Sequence, residues 1–566
     1  MIRVLIRYSV YIWLLCITAA GVAHAQQLPG SVDPGRIQNE QSLEQSKRQS
    51  TAKPALEFDK SAQATAPEGA EELLFTLNSV TIEGVNAFKK TRFEALHRDK
   101  IGTEVSAALL WELAGSISKA YKDEGYFLSR AYVPEQTVDT GDIRIKVIEG
   151  YIGDVEIVGE NQHDHFVQEI ISDIIAQKPI KAKYLESQLL RLNDLHGINF
   201  KAILSSSEIL PEGAVTLKLQ QDERTLSPQA TLAAHNYGSR FIGPYRGGIT
   251  LEHSLIDYHK TTLSIQAALP NANDELLLGS LAHRIQITPS VELDFLLSTT
   301  KSTPGFTLKD SEVESDSFSW GIRASWRPIR QRNKNLTLSA RLDSLNSNTD
   351  TFGTPLTRDR IRTFRMSATY DFIDKFKGAN FISLTASKGL GILGASDEED
   401  LNLSRADASS DFTKLDAYYN RQDYLGNSLF LNTSLSGQWA SRSLFSSEEF
   451  GYGGQSFGRA YDFSEITGDH GIAASLELSY AGIKPIKNYQ INPYLFYDIG
   501  KVWNKGNAAV DQVSATSAGF GTKIYNNDGF TFDAALAFPL TKPIDTPIQG
   551  GNGKKPVFRF SLTKAF

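Results

Sequence analysis

From about residue 225 to Phe566 the chain loses helical periodicity and becomes a run of short alternating segments. Sixteen can be counted, from "TLAAHNYGS" and "YRGGITLEHSL" through "LFLNTSLSGQWA" and "GIAASLELSYA" to "VFRFSLTKAF". In the last of them Phe558, Phe560, Leu562 and Phe566 share one face, while Arg559, Ser561 and Thr563 share the other. Alternation of this kind gives a strand one apolar and one polar face. Roughly 21 residues per segment and connection fits strands of about 10 residues joined by alternating short turns and longer loops, the pattern of a membrane β-barrel. The expected fold is a membrane β-barrel of sixteen antiparallel strands over residues 223–566, preceded by two periplasmic α+β domains. A soluble β-sandwich is the competing fold, but it would not favour so many strands with small polar residues on the concealed face. An even strand count lets the barrel close with both ends on one side.

The N-terminus has the form of an export leader over residues 1–25. Arg3 and Arg7 precede an apolar core, and Ala23-His24-Ala25 fits the small-x-small cleavage rule. The apolar core is too short to span a bilayer as a helix, and no later run of apolar residues is long enough. Cys16 is the single cysteine and lies in that leader, so the mature chain is expected to carry no disulfide, thiol nucleophile or cysteine metal site. A net charge of −7 argues against a nucleic-acid partner. The negative mean hydropathy is compatible with a membrane barrel, because polar lumen residues offset the lipid face.

Residues 26–73 read as an N-terminal polar helix and a linker. The helix, at about residues 37–49, has no apolar face and must be solvated or held in a polar cavity, so it is a candidate plug for the lumen. Residues 74–150 and 151–222 repeat one pattern, β-α-α-β-β. In the first repeat Leu109, Leu110, Leu113, Ile117 and Tyr121 recur at helical spacing and are expected to form core.

One connection stands out. "EEFGYGGQSFGRAYDFSEITGDHG" lies between the eleventh and twelfth segments, far longer than a hairpin turn of two to five residues. Its glycines do not form a phosphate loop, since no Lys-Ser/Thr follows and no helix is opened. Alternation along "YQINPYLFYDIG" puts Ile491, Leu495 and Ile499 on one face and Asn492, Tyr494, Phe496 and Asp498 on the other. The same reasoning turns Glu477 inward on the preceding strand. A loop folded into the lumen would bring Arg459 near such acids, and a guanidinium can clamp a carboxylate bidentately. Geometry alone allows either Asp498 or Glu477 as its partner.

The order of leader, two small α+β domains, sixteen strands and terminal Phe resembles the two-partner secretion transporters, the hemolysin-activator/filamentous-hemagglutinin exporter family. The small domains look like polypeptide-transport-associated (POTRA) domains. "GGQSFGRAYD" sits where the family carries a Val-Arg-Gly-Tyr-type loop tip. Arg459 and Tyr461 match, Gly458 replaces the leading apolar residue, and Ala460 replaces the glycine. "PYLFYDIGKVW" matches the Phe-x-Asp-x-Gly strand through Phe496, Asp498 and Gly500. The resemblance implies a loop tip built on Gly453, Gly454, Gly458 and Tyr461, and favours Asp498 as partner of Arg459. It further implies that Phe566 serves as a signal for the barrel assembly machinery, in a protein of the bacterial outer membrane in contact with its lipid.

The implied function is export, across that membrane, of a large secreted β-helical client received unfolded by the POTRA domains. An outer-membrane protein assembly factor of the same superfamily is the alternative. No catalytic set, cofactor or metal site is expected. His163 and His165 form a lone pair without a third ligand.

Overall fold

The computed structural model describes residues 28–38, 66–89, 91–159, 164–206, 210–221, 228–254, 256–269, 275–506, 511–542 and 553–566. The expected leader, most of the helix at about residues 37–49 and the linker as far as residue 65 lie outside the described residues, as does His163.

Two small α+β units come first. In one, strand Asp142–Ile148 lies between Ser79–Glu83, parallel to it, and Arg130–Tyr132, antiparallel. Helix α1 (Ala108–Asp123) lays Leu113, Ile117 and Tyr121 on Ile145 and Val147. The helix expected over residues 89–99 contracts to one turn, Thr91–Glu94, and a 3-10 turn, Arg98–Lys100. Phe93 is the buried apolar side chain of that segment, too little to hold a longer helix on the sheet. Residues 104–106, expected as the start of α1, instead pair with Leu74–Thr76.

In the second unit, strand Ala214–Gln221 lies between Tyr151–Val158 and Phe200–Ser206. Helices α2 (His165–Ala176) and α3 (Ala182–Asn193) cover it through Val167, Ile170, Ile174, Leu185 and Leu189. Asp164 caps α2, its carboxylate accepting from the N–H groups of Phe166 and Val167 at 2.9 and 3.1 Å.

Sixteen strands then close into a barrel. They are β1 (Gln229–His235), β2 (Tyr245–His253), β3 (His259–Leu269), β4 (Leu277–Thr288), β5 (Val291–Ser302), β6 (Val313–Gln331), β7 (Lys334–Thr351), β8 (Thr354–Ile373), β9 (Ala379–Gly389), β10 (Thr413–Gly426), β11 (Leu429–Ala440), β12 (His470–Tyr480), β13 (Gln490–Trp503), β14 (Gln512–Tyr525), β15 (Phe530–Pro539) and β16 (Val557–Ala565). Exposed Leu263, Ile265, Leu281, Leu297, Leu476, Leu495 and Phe558 lie on the outer face, and buried Ser264, Asp294, Ser317, Glu477, Asp498 and Arg559 on the inner one. No described helix is long and apolar enough to cross a membrane; in a barrel the strands do so.

Strands β6, β7 and β8 run to 19, 18 and 20 residues, about twice a membrane crossing. Their outer halves, such as "NSNTDT" and "TPLTRDR", extend past the alternating segments visible in the sequence because nothing apolar is required beyond the bilayer. At the barrel's other rim the second α+β unit is held by charge. Asp194, after α3, accepts from Arg330 Nε and Nη2 at 2.7 and 2.8 Å and from Arg327 Nη1 at 3.0 Å. His196 sits beside this joint. Burial, with Arg284, Lys260 and Arg327 nearby, holds its imidazole down at about 4.

Candidate functional site

Residues 441–469 join β11 to β12 and fold into the lumen. A short antiparallel pair, Phe450–Tyr452 with Ile466–Gly468, forms the stem, which the sequence reading did not anticipate. At its inner end Gly453 has φ 125°, and a Cβ there would lie 2.0 Å from the Asp462 carbonyl oxygen, so only glycine fits. Gly454 N–H donates to Tyr461 O at 3.2 Å. Tyr461 N–H donates to Gly458 O at 2.8 Å, closing a four-residue turn with Arg459 and Ala460 at its corner. Ala460 is buried and keeps a negative φ, so the methyl group that replaces the family's glycine costs no backbone strain. Tyr461 shares its one hydroxyl proton between the carbonyls of Thr516 and Lys542, at 3.0 and 2.9 Å, fixing the tip to the wall.

Arg459 meets both acids that the alternation turns inward. It donates to Asp498 Oδ2 from its backbone N–H at 3.0 Å and from Nε at 3.1 Å, and to Oδ1 from Nη2 at 2.9 Å. Nη1 donates to Glu477 Oε2 at 2.6 Å, and Nη2 also to Ser475 Oγ at 3.0 Å. The guanidinium carbon lies 3.7 Å from the centroid of the Phe496 ring. Asp498 is 0% exposed and takes further hydrogen bonds from Ser475 and Ser517, at 2.7 and 3.3 Å. Glu477 also accepts from Lys523 Nζ, so two carboxylates face two cations. A charge set buried this deeply persists only when it is paired throughout.

The wall is shaped for the loop. Gly500 faces inward on β13, and a Cβ there would meet the Tyr452 ring at 2.2 Å. Tyr452, Tyr461, Ala460 and Phe457 pack with Tyr494, Phe496 and Val502 in one apolar cluster. Phe566, the last residue, keeps an exposed side chain and donates its N–H to Ala230 O of β1 at 2.8 Å.

A second set of charges, most of which leaves no local signal in the sequence, holds the base of the loop. Glu448 pairs with Arg365 of β8 at 2.5 Å and Lys414 of β10 at 2.8 Å. Burial opposes its charge, but the two cations outweigh burial and hold the carboxyl at about 2. Glu449 pairs with Arg405 at 3.2 Å and with Arg36, from the N-terminal segment, at 2.8 Å. That segment enters the lumen as a helix opened by Asp33-Pro34, with Arg36 N–H donating to Asp33 Oδ1 at 2.9 Å. Its Val32 and Ile37 pack on Ile242, Leu278 and Phe463. Among the described residues no group of three or more His, Cys, Asp or Glu could hold a metal ion.

A family model described as haemolysin secretion/activation protein ShlB/FhaC/HecB matches residues 290–524, which run from β5 into β14, and a ShlB-type POTRA domain model matches residues 75–150. The chain belongs to this family of two-partner secretion transporters. It is an outer-membrane transporter, not an enzyme, and the family secretes a partner protein. The heme/hemopexin transporter protein HuxB of Haemophilus influenzae is 24% identical over 95% of this chain and 95% of its own. The outer membrane transporter CdiB of Escherichia coli is 26% identical over 27% of this chain and 26% of its own.

Among solved structures, CdiB from Escherichia coli shares the transporter's fold with a TM-score of 0.72 at 16% identity, covering 95% of this chain and 99% of that one. CdiB from Acinetobacter baumannii follows at a TM-score of 0.59 and 15% identity, covering 94% and 97%.

Proposed function

We propose that the transporter exports one large β-helical protein, taken up unfolded on the periplasmic side by the two α+β units. Open sheet edges in those units can add an extended client strand through main-chain hydrogen bonds, which suits a β-rich client of loose sequence. In this reading the resting lumen is shut by two inserted elements, the loop of residues 441–469 and the N-terminal segment around Arg36. Passage requires both to shift, and folding of the client outside draws it through. The observation that carries the reading is the five-bond anchorage of Arg459 on the wall, with Arg36 bound to the base of the same loop. Phe566 acts as the mark by which the barrel assembly machinery inserts the chain into outer-membrane lipid.

Assembly of other outer-membrane barrels is the second reading, favoured by the fold shared with BamA from Haemophilus ducreyi at a TM-score of 0.50. Comparing outer-membrane and secreted proteins with and without this chain separates the two. Export predicts loss of one large secreted protein with the outer membrane unchanged. Depletion of many barrel proteins would support assembly instead.

A further inference from the structure

The barrel closes where its first and last strands meet, and this contact is thin. Strand β16 pairs with β1 over five residue pairs, from Ser561↔His235 to Ala565↔Thr231, whereas β7 and β8 share eighteen. Beyond His235 the ladder keeps one main-chain bond, from Asn236 N–H to Phe560 O at 3.2 Å, and then passes to one side chain. Asn236 donates from Nδ2 to Phe558 O at 2.8 Å and accepts at Oδ1 from Phe560 N–H at 2.7 Å.

Directly above this point the loop tip places a carboxylate between the two edges. Asp462 Oδ2 accepts from the backbone N–H and Nε of Arg240, four residues beyond Asn236, at 3.0 and 2.8 Å. Its Oδ1 accepts from Nη2 of Arg559, on β16, at 3.1 Å. Arg559 spends its other donors on Asn236 O at 2.9 Å and on the carbonyl of Arg459 at 3.1 Å. All three charged side chains are buried.

We propose that Asp462 is a positioning residue that locks the β1–β16 seam to the inserted loop, so that withdrawal of the loop loosens the seam. The reason is electrostatic. With Asp462 in place, one anion of the loop bridges a cation from each edge, and Glu465 of the same loop adds a second anion to Arg240 at 2.5 Å, without reaching the other edge. When the loop leaves, Arg559 loses both its carboxylate and the Arg459 carbonyl, and stands near Arg240 as an under-compensated like charge. The edges then repel where the ladder is shortest. This rests on the loop being the element that moves, and the test separates the two ideas.

Hydrogen exchange of the full chain in lipid nanodiscs reads the seam directly. In Asp462→Asn, exchange at residues 230–235 and 558–565 should rise about tenfold or more, while residues 338–345 and 363–370, in β7 and β8, stay as in the unaltered chain. Arg459→Ala, which frees the tip, should raise seam exchange likewise. A disulfide between Ala234→Cys and Leu562→Cys, residues paired across the seam, should return Asp462→Asn to the unaltered seam rate while exchange at residues 450–468 stays raised. Raised loop exchange with an unaltered seam in Asp462→Asn would overturn the lock. So would loss of secretion in Arg459→Ala with an unaltered seam, although the loop reading would then stand. A loosened seam with normal secretion would keep the lock and remove the loop's role in export. Should Asp462→Asn fail to insert, Arg559→Lys serves in its place. It keeps the charge but cannot reach three acceptors at once, and the same seam and control segments decide the outcome.

Discussion

Arg459 binds Asp498 through three hydrogen bonds, one from its backbone and two from its guanidinium, and the same guanidinium binds Glu477 at 2.6 Å. The two acids are therefore not alternatives. Unequal consequences follow for their substitution. Asp498→Asn leaves the cation with Glu477, whereas Arg459→Ala leaves the fully buried Asp498 without a counter-charge. Breaking a buried pair in that way costs about 3–5 kcal/mol. Exchange of loop amides should accordingly rank Arg459→Ala above Asp498→Asn, and Asp498→Asn above the unaltered chain.

Gly500 and Tyr452 make a contact that no other residue type at position 500 would allow, since a Cβ would meet the ring at 2.2 Å. Gly500→Ala should destabilise the loop by about 1–3 kcal/mol, the range for overpacking a filled site. In a Tyr452→Ala background the same change should cost almost nothing. A double-mutant cycle on the temperature at which the barrel loses its folded mobility in detergent gels checks this.

The N-terminal segment is tied to the loop base by Arg36, which pairs with Glu449 and donates to Glu449 O at 3.3 Å. Arg36→Ala should raise single-channel conductance in planar bilayers, and deletion of residues 31–55 should raise it further. An unchanged current in both would remove the plug from the account.

The joint between the second α+β unit and the barrel should weaken in acid. His196 has a folded pKa of about 4 against 6.5 when free. The lowered value means that the unfolded or undocked form binds the proton more readily. Stability from the neutral ring is complete above about pH 6.5 and is lost as pH falls toward about 4. By pH 5 the loss reaches at most about 2 kcal/mol, at about 1.4 kcal/mol per unit. Limited proteolysis near residue 228 should therefore quicken between pH 7 and pH 5, and His196→Gln should flatten that dependence.

What the sequence revealed, and what it hid, follows from range. Alternation is local, so all sixteen strands, the inward turn of Glu477 and Asp498 and the odd length of residues 441–469 could be read directly. The outer halves of β7 and β8 could not, because outside lipid neither face must be apolar. Pairings such as Arg240 with Asp462, 222 residues apart, leave no local trace. Arg559 was the available clue, a cation on the polar face of the last strand without a visible partner. Arg36 lay in a segment read as polar linker and helix, where a single arginine carries no signal. Ala460 looked like a defect beside the family's glycine, and the turn geometry shows that glycine is not required there.

Secretion of the partner by cells carrying Arg459→Ala at unaltered barrel level bears most directly on the role of the Arg459 clamp, with detergent-gel mobility as the check on folding. A folded barrel with secretion reduced by roughly tenfold or more is expected, because a tip that loses the buried pair, worth about 3–5 kcal/mol, has no single seat in the lumen to leave and return to and obstructs the client's path. Normal secretion from a folded Arg459→Ala barrel would contradict that role.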